Sequence, residues 1–176
     1  MTTPFSWLPA DLQGNALLML AVAAMAMAKI LSTVGAGLTL KDEGIAFGIV
    51  NLEVSWSRER AEAIVKAWRK HQVVGKALQQ TQLDFIFLLI YPAALSLACV
   101  MTAGGSDGLM ADTGLAMSWI ILFCAPFDAI ENILLLKMLK GTFEPNTARI
   151  TSISASLKFL IILVTLIYLI VMVFMR

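Results

Sequence analysis

Four long apolar stretches dominate the chain, at approximately 16–38, 83–102, 114–136 and 154–175. Each is close to the roughly 20 apolar residues that a helix needs to cross a ~30 Å hydrocarbon core. They are too long for the strands of a membrane barrel, which take roughly 9–11 residues. The pattern therefore predicts an all-α integral membrane protein. We expect residues 1–176 to form a single membrane domain, an antiparallel four-transmembrane-helix bundle.

A shorter helix is predicted at 57–72, between the first two spans. Ser57 is a favoured N-cap residue, and apolar residues then recur on one helical face: Ala61, Ile64, Val65 and Trp68. The remaining faces are mainly basic, carrying Arg58, Arg60, Lys66, Arg69 and Lys70. A basic amphipathic helix with a tryptophan at its apolar edge suits an anionic membrane surface. The alternative is that it packs beneath the bundle and contributes only topology-setting charge.

Another apolar run covers 44–54 and contains Glu53. It is too short to cross a bilayer. We expect it to lie at the membrane interface or against the bundle.

Composition removes several classes of protein. The chain is 59% hydrophobic and 14% charged, whereas soluble domains are about 45–50% apolar and about 25% charged. Its formal net charge of +1 argues against a basic nucleic-acid-binding module, so no nucleic acid partner is expected. Cys99 and Cys124 have no CxxC spacing, and His71 is the only histidine. We expect no metal and no cofactor, although a carboxylate-only magnesium site stays open.

Basic residues are concentrated in 41–82 and 137–153, and are absent from 1–15 and 103–113. The positive-inside rule places both basic segments in the cytoplasm. We therefore expect a multi-pass protein of the bacterial cytoplasmic (inner) membrane with both termini outside. Because 1–15 lacks the positive region of a signal peptide, the first span is expected to be retained. Membrane lipids are the expected surroundings, and a homo-oligomer stays open.

Five ionisable residues lie inside the predicted spans: Lys29, Asp84, Asp128, Glu131 and Lys158. A charge facing lipid at a helix centre costs ~2.5–3.5 kcal/mol, so we expect these side chains to face the bundle interior. All lie in the half of their spans nearest the basic segments. The sequence therefore predicts a polar pocket open to the cytoplasm, formed by Lys29, Asp84, Tyr91, Asp128, Glu131, Asn132 and Lys158.

Three functions are consistent with this cluster. The pocket could bind a small amphipathic or lipid-like molecule, with acid–base chemistry by its carboxyl groups left open. It could belong to a proton-coupled or cation carrier. Alternatively the protein is an accessory subunit, in which Lys29–Asp128 and Lys158–Glu131 pairs only fix the helix register.

Three segments also carry a resemblance. They contain, in order, Glu53, Arg60 and Trp68, then Asp84-Phe85-x-Phe87 followed by Tyr91, then Asp128-x-x-Glu131-Asn132. Together they resemble a family of small four-span bacterial membrane proteins of uncharacterised activity. The resemblance implies a four-helix membrane fold and supplies no reaction. Lys29 and Lys158 fall outside its pattern.

Overall fold

The computed structural model describes residues 2–175, and within that range every regular element is helical. The only β-type pairing there is a single bridge between Leu40 and Ile45. Seven α-helices follow one another: α1 (Ala10–Val34), α2 (Ile49–Glu53), α3 (Arg58–Lys70), α4 (Val74–Gly104), α5 (Gly108–Ile120), α6 (Cys124–Lys140) and α7 (Thr147–Phe174). Short 3₁₀ turns occupy Lys41–Glu43 and Ile121–Phe123.

Four helical stretches are long and apolar enough to cross a membrane, as predicted: α1, α4, Gly108–Lys140 and α7. Their bounds differ from the expected ones. The first helix both begins and ends earlier than 16–38. It starts directly after Pro9 and ends at Val34, before Gly37 takes a φ of 119° that other residues rarely adopt. By contrast, α4 begins well before the predicted residue 83, because the polar stretch from Val74 continues the same helix.

The third apolar stretch, Gly108–Lys140, is helical along its length but contains one local irregularity. The 3₁₀ turn at Ile121–Phe123 joins α5 to α6 and lies just ahead of Pro126. Proline has no backbone N–H, so it cannot continue the α-helical hydrogen bonding to the carbonyl of Leu122. In contrast, Pro92 lies inside α4 without interrupting it.

The centre of the bundle is α4, which packs against α1, α5, α6 and α7. The α4–α5 and α6–α7 connections are short, so these packed neighbours run antiparallel. The first helix is peripheral: it packs mainly on α4, and Leu31 is its one buried residue among those described. The interior is therefore shared by α4, α5–α6 and α7.

The segment between α1 and α4 folds over one end of these helices, called here the α3 end. Ser57 caps α3 as predicted, its hydroxyl accepting the Arg60 N–H at 3.2 Å. Trp68 is 0% exposed, and its indole N–H donates to the Leu38 carbonyl at 2.9 Å. Around it pack Leu52 and the end of α6, including Met138. The expectation that Trp68 faces a membrane surface is therefore wrong, because protein covers its ring; α3 packs beneath the bundle.

Candidate functional site

Lys158 of α7 is the centre of a buried ionic cluster. Its ammonium lies 2.8 Å from Asp128 Oδ1 and 3.0 Å from both Glu131 oxygens. Asp128 and Glu131 project from one face of α6, three residues apart. The exposed fractions are 6% for Lys158, 2% for Asp128 and 0% for Glu131. The Lys158–Glu131 pair that the structural alternative included is therefore present, and the same lysine also pairs with Asp128.

Two residues of α4 complete this side of the cluster. The Tyr91 hydroxyl donates to Asp128 Oδ2 at 3.0 Å, so both oxygens of Asp128 have a partner. The Asn132 amide donates to Asp84 Oδ2 at 2.8 Å. Six of the seven residues predicted for the pocket therefore meet in one cluster between α4, α6 and α7.

The seventh, Lys29, does not join them. Its side chain is exposed on α1, and no ion pair among residues 2–175 includes it. The Lys29–Asp128 pair of the purely structural alternative is therefore absent among the described residues, for two reasons. The first helix packs mainly on α4 with the Lys29 side chain exposed, and it ends at Val34. Lys29 is consequently only about 7–8 Å from the helix end at 1.5 Å per residue, within reach of the polar surface for a flexible lysine stem.

Glu53 takes part in the cluster although the sequence did not assign it there. It ends the short helix α2, and its side chain is buried beside the cluster with 8% exposure of the residue. The Ser152 hydroxyl of α7 fixes this helix end by donating to the Glu53 carbonyl at 2.8 Å and accepting the Trp56 N–H at 2.9 Å. Hydropathy showed only an acidic residue in an apolar run too short to span a membrane, and the resemblance pattern that includes Glu53 gave it no role.

The pKa of Glu53 is raised to about 7. Burial is the main cause, since it penalises the ionised form; the Lys158 ammonium opposes the rise, and the Asp84 and Asp128 carboxylates add to it. The Glu53 carboxyl also lies within hydrogen-bonding reach of Glu131. Two ionised carboxylates can only accept, so a hydrogen bond between them requires a proton on one.

The cluster holds more acid than base. Four carboxyl groups surround the single ammonium of Lys158, and Asp84 and Asp128 form a second carboxyl contact like that of Glu53 and Glu131. Glu131 Oε2 accepts no well-formed hydrogen bond despite its complete burial. Among the described residues, no group of three or more His, Cys, Asp or Glu side chains is arranged to hold a metal ion.

A pocket of about 300 Å³ opens onto this cluster between α2, α4, α6 and α7. One part of its lining is polar: Glu53, Asp84, Tyr91, Asp128 and Lys158. The other part is apolar: Val50, Phe87, Phe159 and Ile162. Glu131 and Asn132 are outside the lining and support it from behind.

A second, small cavity of about 30 Å³ shares Glu53 and Asp84 with the pocket. Its other polar groups include Gln80, whose Oε1 is buried without a hydrogen-bond partner, and Thr81. A water molecule needs roughly 10–15 Å³ of such volume and two or more polar partners. The small cavity therefore has the room and the polar lining to hold water next to Glu53.

Comparison with known proteins gives no relative. No protein-family model, curated protein or solved structure matches this chain. The four apolar helices indicate a multi-pass membrane protein.

Proposed function

We propose that this multi-pass protein binds a small amphipathic molecule in the pocket between α2, α4, α6 and α7. The observation that carries the proposal is the division of the pocket lining. Phe87, Phe159 and Ile162 give an apolar wall for a tail, while buried ionisable groups lie opposite for a head group. Small-molecule sites are typically concave, mostly apolar and furnished with a few convergent polar groups, with volumes of about 300–1,000 Å³.

The pocket volume supports a small ligand over a whole lipid. About 300 Å³ is at the lower limit for small-molecule sites. A single ring or short alkyl chain with one head group fits this volume better than a two-chain lipid does.

Occupancy can be tested with a substitution that fills the pocket. Ile162→Trp adds bulk to the apolar wall, while Ile167→Trp adds the same bulk to an exposed position on the same helix. Both proteins would be purified from membranes and examined by native mass spectrometry for a copurifying amphipathic molecule. We expect it on the wild type and on Ile167→Trp, and not on Ile162→Trp. Equal retention by all three would refute binding in this pocket.

We also propose that the α3 end faces the cytoplasm of a bacterial inner membrane. Basic side chains are concentrated at this end, and the positive-inside rule then places both chain termini outside. Exposed Arg60 and Lys66 would meet anionic head groups, whereas Lys70 is paired with Glu43 at 2.7 Å. A reporter that is active only in the periplasm should therefore be active when it is fused after the C-terminus. Activity of a cytoplasm-specific reporter there would reverse the orientation.

A second candidate is a proton-coupled carrier, alone or as a homo-oligomer. It is supported by the two carboxyl–carboxyl contacts of the cluster, since buried acids in contact hold protons that a transported cation can replace. Proteoliposomes containing the protein should then move protons or a cation, and Asp128→Asn should abolish the flux. Binding without flux would leave the binding protein as the better description.

A further inference from the structure

We propose that the pocket selects an amphipathic organic cation, whose ammonium-type head group binds between the carboxyls of Glu53 and Asp84 and displaces a proton held there. This inference rests on the proposed function and names its ligand class. It depends on three features of the pocket: its charge, its aromatic lining and the place available to the displaced proton.

The charge of the lining favours a cation. Three carboxyl-bearing residues face the pocket, Glu53, Asp84 and Asp128, against the one ammonium of Lys158. That ammonium is already engaged by Asp128 at 2.8 Å and by Glu131 at 3.0 Å. An anionic head group would meet acidic side chains with no free cation to pair with, and burying such charges together is costly.

The aromatic lining also suits an organic cation. The rings of Phe87 and Tyr91 lie 5.0 Å apart between centroids, both at the pocket. The third aromatic residue, Phe159, already has the Lys158 ammonium 5.0 Å from its ring centroid, so cation–π geometry is established in this lining. Aromatic faces attract cations, and groups of aromatic side chains recognise ammonium ligands. Because no metal-binding group of side chains is present among the described residues, an organic cation fits better than a metal ion.

The proton balance is simple, since no covalent bond other than O–H changes. Below about pH 7 in the empty pocket, a proton is held at Glu53, which faces Asp84 of α4, Asp128 and Glu131 of α6, and Lys158 of α7. When the ammonium binds, Glu53 keeps the electron pair of its O–H bond and the proton passes to water. The small cavity that Glu53 shares with Gln80 provides a place for that water next to the carboxyl. Ligand binding should therefore release a proton and weaken as the pH falls.

The test uses three probes with the same tail and different charge: n-octylammonium, n-octanol and n-octanoate. Isothermal titration calorimetry would be performed on the protein in lipid nanodiscs, with empty nanodiscs subtracted. We expect saturable binding of n-octylammonium at least about tenfold tighter than that of n-octanol. Its affinity should fall about tenfold between about pH 8 and pH 5, as protons compete for the carboxyl. Buffers of different ionisation enthalpy should report proton release.

Glu53→Gln should reduce n-octylammonium affinity about tenfold and remove its pH dependence, while leaving n-octanol unchanged. Glu59→Gln makes the same chemical change at an exposed position of α3 and should have no effect. Asp84→Asn provides a second pocket variant should the first fail to fold, with the same loss expected. Equal binding of n-octanol, tighter binding of n-octanoate, or unchanged binding by both pocket variants would overturn this inference. Absence of binding by all three probes would instead overturn the proposed function.

Discussion

Replacing Lys158 with methionine tests the ionic cluster directly. Methionine keeps the length of the side chain and removes its charge, leaving Asp128 and Glu131 without their cation at 2.8 and 3.0 Å. Removing one partner of a buried ion pair costs about 3–5 kcal/mol, because the remaining charge is buried without compensation. For a protein of this size, 1 kcal/mol shifts Tm by about 2–4 °C, so we expect a loss of about 6–20 °C.

Lys29→Met is the matched control. It removes the same charge from another span, at a position that is exposed and outside the ion pairs of the described residues. Exposed charges contribute about 0–1 kcal/mol. Because 1 kcal/mol shifts Tm by about 2–4 °C, the Tm of this variant should stay within a few degrees of the wild type.

Thermal unfolding in detergent, followed by tryptophan fluorescence, measures both variants. Equal Tm values for the two variants would refute the geometry of the cluster. A large loss of Tm in Lys29→Met alone would indicate that the Lys29 side chain lies in the bundle interior.

Three further changes have defined outcomes. Between pH 4.5, the ordinary pKa of a glutamate, and about pH 7, Glu53 binds more protons in the folded than in the unfolded state. The free energy of unfolding should therefore fall by about 3 kcal/mol as pH rises through this window. Glu53→Gln should make Tm less dependent on pH over the same range. Gly114→Ala should lower the free energy of unfolding by about 1–3 kcal/mol, because the new methyl group would overlap the Tyr168 hydroxyl. Gly104→Ala is the control, since its methyl group would contact no neighbouring atom, and it should leave thermal unfolding unchanged. Trp68→Phe should cost about 1–3 kcal/mol in the same assay by leaving a buried carbonyl without its donor.

The sequence was sufficient for elements whose signal is local. Span length and hydropathy predicted the four long helices, and the cap at Ser57 with its periodic apolar face predicted α3 within two residues at each end. The acidic face of α6 was also predictable, since Asp128 and Glu131 share a side of any helix. The two α4 residues at the site, Asp84 and Tyr91, followed from matching their depth to that face.

The sequence was insufficient where the outcome depends on which helices are neighbours. Depth alone placed Lys29 at the level of Asp128, but depth does not reveal that α1 packs mainly on α4 with the Lys29 side chain exposed. Glu53 was missed for a related reason. A five-residue helix has almost no periodic signal, and its position is fixed by Ser152, 99 residues further along the chain.

The composition of the cluster argues against a purely structural role. Fixing the register of two helices requires one carboxylate opposite one ammonium, which Lys158 and Asp128 already provide at 2.8 Å. The surplus acids are brought in from separate elements, Asp84 from α4 and Glu53 from α2, and both are buried where each ionised carboxylate is costly. Local features that oppose stability are expected at functional sites, where another requirement retains them. The surplus of acid at the pocket lining is therefore the strongest reason to expect that the pocket binds a proton or a cation.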